Sequence, residues 1–203
     1  MLAYAFAAGV PASWVIADTV YGFEDMRDWL EKQRRYYVLA VPATHQVWIG
    51  GESQVVGLLA ALLPDHAWTP LSAGEGSQGP RVYEWAWLRL PYKREENEGC
   101  ASWLLVRRSL SNPSERAYYR VYGPAELTLS DVVLLAGSRW KIEEGFEQAK
   151  GEVGLDHYEV RSWKAWYRYV TLALLAYAFL MVMRVQAQAE EQKKRMLSST
   201  YVR

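Results

Sequence analysis

Between residues 14 and 41 two short apolar runs flank an amphipathic segment, and this arrangement restricts the chain more than any other feature. Trp14-Val15-Ile16-Ala17 is uniformly apolar, as a strand buried on both faces is. Glu24 to Arg35 then has helical spacing, with Met26, Trp29 and Leu30 on one side and acids in the first turn. Tyr36 to Val41 is a second apolar run, closed by Pro42. Strand, helix, strand over this distance predicts a βαβ unit with parallel pairing. In such sheets a polar residue at the C-terminal end of a strand stands where ligands bind, and Asp18 occupies that position. A turn or capping role is the plainer alternative for an Asp there.

From Thr44 to Pro124 the pattern changes to short alternating runs. Gln46 to Ile49 reads as a strand before Gly50-Gly51, Val55 to Leu63 as a short helix or apolar loop, and Ser72 to Pro80 as a Gly/Ser-rich loop. Period two puts Tyr83, Trp85 and Trp87 on one face of a strand over Arg81–Leu90. Lys93 to Gly99 reads as a turn, followed by strands over 102–110 and 117–122. The aromatic face, together with Trp48, Trp68 and Trp103, is expected to form the core of this β-rich part.

Thr128 or Ser130 caps the next helical stretch. Over residues 138–153 helical spacing places Ile142, Phe146, Ala149 and Val153 in one apolar stripe. Beside it Arg139, Glu143, Glu147 and Lys150 share a second stripe, because residues four and seven apart nearly eclipse at 3.6 per turn. Two carboxylates between two cations can be ordinary surface pairs contributing roughly 0.2–0.5 kcal/mol each. Residues 162–188 read as a long apolar helix, whose uncharged run Tyr169–Met183 is shorter than a usual bilayer span and suits a buried core helix. The tail from residue 189 is polar and expected to fray.

Arg139, Glu143 and Lys150, with three and six residues between them, resemble the end of the Tyr-Arg-Glu-Lys signature of DDE-superfamily insertion-sequence transposases. The string Arg-Trp-Lys-Ile-Glu-Glu is similar to theirs too, as are Val15 to Gly22 around Asp18 and Gly154 to Arg161 after the Lys. Ala136 stands where the family has its Tyr. The resemblance implies a partial RNase-H-like α/β fold: a strand–helix–strand core over 1–42, a β-rich insertion over 43–125, C-terminal helices over 126–188 and a polar tail over 189–203. It makes Asp18 the second acid of the catalytic triad and Glu143 the third, both catalytic and both metal ligands. Arg139, Lys150, Tyr158 and Arg161 become contacts to DNA.

The implied cofactor is Mg²⁺ or Mn²⁺, since paired hard cations held by carboxylates activate the nucleophile and stabilise both oxygens in phosphodiester cleavage. The implied partners are DNA at transposon ends and a further transposase chain, with no membrane and a cytoplasmic location. The family's first Asp lies well upstream on the first strand of the sheet, and residues 1–17 contain no Asp or Glu. The chain therefore resembles the C-terminal part of such a transposase and is expected to be inactive alone. Without preceding strands, Trp14–Ala17 should present an unpaired apolar edge of the kind that aggregates or recruits a partner.

Composition narrows the field. Lys and Arg number 23 against 23 Asp and Glu, a balance unlike that of free-standing DNA-binding modules. One Cys and three scattered His leave no disulfide framework and no Cys-based zinc site. Two readings compete with the nuclease: a non-catalytic DNA-binding or interaction module derived from a transposase, and an unrelated α/β protein whose acids form surface ion pairs.

Overall fold

The computed structural model describes residues 1–76, 79–91 and 98–200, with side chains up to 194. The chain forms two compact units, Met1–Arg139 and Trp140–Arg203. The first holds α1 (Leu2–Ala7), β1 (Trp14–Ala17), α2 (Glu24–Lys32), β2 (Tyr36–Val41), β3 (Gln46–Ile49), β4 (Glu52–Val55), α3 (Val56–Ala61), β5 (Thr69–Gly76), β6 (Gly79–Leu90), β7 (Cys100–Arg108), β8 (Arg116–Pro124) and α4 (Leu129–Ser138). The second holds α5 (Trp140–Val153) and α6 (Trp163–Thr200).

Six strands make one sheet in the order β1-β2-β8-β7-β6-β5, and β3 and β4 form a separate hairpin. The β1–β2 pair is parallel, with Ile16 opposite Val38. Every other pair in the sheet is antiparallel. Strands from residues 69–124 thus extend the sheet begun by the strand–helix–strand unit. This mixed α/β architecture, with its two-stranded sheet and C-terminal helices, is consistent with a partial RNase-H-like fold. Among the described residues β1 pairs on one side only, so its other edge is open as the sequence implied.

Alternation along the strands gives the sheet two apolar faces. On one, α4 brings Val132, Val133 and Ala136 onto Val38, Trp85, Leu105 and Val121. Thr128 caps that helix through a capping box with Asp131, whose carboxyl is held low by the Thr128 hydrogen bonds. The opposite face carries two clusters. Leu30 of α2 covers Tyr37, Leu39 and Tyr122. The hairpin and α3 place Val47, Val56 and Ala60 on Leu104, Val106 and Ala86.

Several expectations need correcting. Residues 72–76 are strand rather than loop: β5 continues through them with a register shift between Ser72 and Glu75, and Gly74 (φ +102°) supplies the irregularity. The predicted turn at 93–99 falls largely outside the described residues. Trp68, Trp85 and Trp103 are core residues, but Trp48 is 67% exposed on β3, with Val47 filling the inward position. The helix expected over 138–153 begins at Trp140, because α4 runs through Gly137 to Ser138 and Arg139 separates the two.

In the second unit α5 ends at Val153, with Gly154 at φ +62° as its terminator. Ala149, Leu155 and Ala173 form the small core, flanked by Tyr169 and Tyr177. The hydroxyl of Tyr169 donates to the Gly154 carbonyl at 2.6 Å, and Arg184 meets Glu152 at 2.5 Å. The apolar stripe of α5 is only half covered: Ala149 is buried, while Ile142 and Phe146 are 54% and 51% exposed.

The expectation of a buried core helix fails for α6. Over Trp163–Lys194 it is long and apolar enough to cross a membrane by length and composition, and only 6% of its most apolar window is buried. Leu172, Leu175, Phe179 and Val185 are all exposed. The packing against α5 covers only one stripe, whereas the apolar residues of α6 go all round it. The tail continues this helix to Thr200.

Candidate functional site

Asp18 directly follows the last residue of β1, at the C-terminal end of a strand paired in parallel with β2. It is exposed, and its carboxylate accepts the Val20 N–H at 3.0 Å while its carbonyl accepts Tyr21 N–H at 3.1 Å. The side chain therefore already holds a turn, with its second carboxylate oxygen left over. That turn is anchored beneath: Gly22 packs on β2 and its carbonyl accepts from Arg27 of α2.

Arg139 does not belong to the helix that carries Glu143. It is the C-terminal cap of α4, in right-handed helical geometry, and closes the first unit. Glu143 lies in the first turn of α5 and Lys150 in the last, both exposed. An acid at the N-terminal end and a cation at the C-terminal end also complement the helix dipole, a structural role open to both. The exposed Glu147 lies between them on the same helix.

Tyr158 and Arg161 occupy the connection from α5 to α6. The Tyr158 ring meets Trp166 and Tyr169 edge-on at 6.3 and 6.2 Å, so it packs against α6 while remaining 44% exposed. Arg161 is exposed immediately before that helix. Glu143, Lys150, Tyr158 and Arg161 thus share the second unit, and Asp18 and Arg139 the first.

Asp and Glu are the hard oxygen donors that Mg²⁺ and Mn²⁺ take. Among the described residues, however, no group of three or more Asp, Glu, His or Cys could hold a metal ion. Asp18 and Glu143 have the right chemistry for two ligands, and these residues do not complete a set.

Sequence reading passed over a second group of polar residues. Arg27 and Glu31 are buried on α2, and Ser102 is buried on β7. Arg120 faces inward on β8 between Tyr118 and Tyr122. A cation at an inward position of an otherwise apolar strand was the signal available for it.

No curated protein matches the chain in a sequence search. The family profile described as Transposase DDE domain matches residues 4–179, a span that includes both Asp18 and Glu143, and the chain belongs to that family of transposase domains.

Proposed function

We propose that the chain is the C-terminal portion of a DDE-type DNA transposase nuclease domain, in which Asp18 and Glu143 are two of the three metal-binding acids. The observation that carries this reading is the place of Asp18, at the C-terminal mouth of a parallel strand pair within the span matched by the family. Glu143 fits the third acid by its spacing from Arg139 and Lys150. A divalent ion held in part by Asp18 and Glu143 would supply charge stabilisation to the attacking and leaving oxygens.

The chain's own residues contribute binding and orientation. Arg139 has the planar fork that pairs with phosphate oxygens, and Lys150 offers a point charge. Tyr158 and Arg161, presented together in one connection, suit the sugar–phosphate backbone of a transposon end. Residues 1–17 contain no Asp or Glu, so the first acid of the triad does not stand ahead of Asp18 in these 203 residues. By themselves they bind DNA without cutting it.

The test is strand cleavage of a labelled duplex by the 203-residue chain in Mg²⁺ or Mn²⁺. No metal-dependent product is expected, with DNA retention that weakens as salt rises. Robust nicking that disappears in Glu143→Gln would contradict the incomplete ligand set. The exposed apolar α6 favours a second reading, a non-catalytic interaction module derived from a transposase. DNA binding indifferent to Asp18→Asn, together with self-association through α6, would select it.

A further inference from the structure

The two apolar clusters on the face of the sheet opposite α4 do not meet in a continuous core. Between the α2 side and the β3–β4 hairpin lies a cleft of about 360 Å³, lined by Glu24, Arg27, His45, Gln46, Trp48 and Arg120 among others. Arg120 projects from β8, opposite Leu39 of β2 and Leu104 of β7. It donates through Nη2 to the buried Ser102 hydroxyl at 3.1 Å, and its Nε is buried with no acceptor. The Nε2 atom of His45 is likewise buried without a partner. Arg27 uses Nη1 on the Gly22 carbonyl.

We propose that this cleft binds one phosphate group, with Arg120 and Arg27 as its cationic ligands and His45 as a neutral hydrogen-bonding wall. Natural proteins rarely leave a buried guanidinium N–H unpaired, and an oxyanion is the acceptor its geometry suits. Two acids stand near: Glu31, which accepts the Tyr37 hydroxyl at 2.7 Å, and Glu24, exposed at the start of α2; both favour the charged form of Arg120, yet its Nε has no acceptor. The charges acting on His45 are Arg27 of α2 and Arg120 of β8, with Glu24 in the lining and the buried Glu31 of α2 acting on Arg120. Burial first, then Arg27 and Arg120, pull the His45 imidazole down to about 4. Neither Asp18 nor Glu143 lines the cleft, and the proposal requires no cleavage activity.

The chain has three histidines, so the ring protons of His45 can be followed individually by NMR. Inorganic phosphate added to the full chain at low salt should shift the His45 signals saturably and raise its pKa by ~1 unit or more, because a bound anion favours the charged ring. His66 and His157 should stay in place. In Arg120→Met, which replaces the cation by an apolar side chain of similar length, phosphate binding should weaken at least tenfold. Should that variant not fold, Arg27→Lys and the wild-type titration still decide. His45 signals that do not move, or that move in parallel with those of His66 and His157, overturn the proposal.

A short oligonucleotide without terminal phosphates identifies the source. If it shifts His45 and inorganic phosphate competes, the ligand is a nucleic-acid backbone phosphate. If only inorganic phosphate acts, the ligand is a free phosphate or a phosphomonoester.

Discussion

Gly22 lies against the Ala40 carbonyl so closely that a β-carbon on it would stand 2.1 Å from that oxygen. The contact ties the loop after Asp18 to the second strand of the parallel pair, and Arg27 reinforces it by donating to the Gly22 carbonyl. Gly22→Ala should therefore displace the loop and cost about 1–3 kcal/mol, the usual range for overpacking a close contact. Denaturant unfolding would measure the loss. An unchanged midpoint would mean that the loop is not fixed in this way.

A second close approach sets two effects against each other. Gly137 lies inside α4, where Ala is favoured by about 1 kcal/mol. Its β-carbon, however, would come within 1.9 Å of the Ala73 carbonyl on β5, a backbone atom that cannot swing away. The clash should win, so Gly137→Ala lowers stability despite its better helix propensity. A thermal midpoint above wild type would show instead that α4 can lift off β5.

His45 gives stability a pH dependence of known sign. Its folded pKa, about 4, lies below the ordinary 6.5, so the unfolded chain binds the extra proton first as pH falls. Its contribution is complete above about pH 6.5 and is lost between there and 4, at up to ~1.4 kcal/mol per pH unit for one proton. His45→Gln should flatten that part of the profile. A profile of the variant parallel to wild type between pH 6.5 and 4 would count against a desolvated neutral ring.

The exposed apolar surface of α6 should show itself as self-association. Leu175 and Phe179 are each 64% exposed and four residues apart on one helix face. The chain should elute larger than a monomer with a concentration-dependent volume, and Leu175→Glu with Phe179→Glu should return it toward monomer. Sedimentation velocity checks this; a wild-type monomer at all concentrations would contradict it.

Much of the scaffold was legible because it is local. The apolar runs at 14–17 and 36–41 and the helical spacing between them dictate β1, α2 and β2, and Thr128 with Asp131 starts α4. Gly154 ends α5 because a left-handed residue was needed there. What stayed hidden depends on partners. The apolarity of α6 cannot tell a buried helix from an uncovered one, and Trp48 faces outward because Val47 takes the inward position. Strand β5 contains Ser and Gly that read as loop, and its pairing with β6 overrides their propensity. The residues of the arginine-lined cleft come from α2, β8 and the start of the hairpin, which no spacing in the sequence connects.

The claim on which the functional reading rests is that Asp18 and Glu143 come close enough to share one divalent ion. Cysteines at both positions in a Cys100→Ser background, bridged by a short bis-methanethiosulfonate, test that adjacency without requiring activity. The account predicts rapid intramolecular cross-linking of Asp18→Cys with Glu143→Cys in the native protein, lost in denaturant and much slower for a control pairing Asp18→Cys with Glu152→Cys. A native protein in which the 18–143 pair links no faster than that control would contradict it.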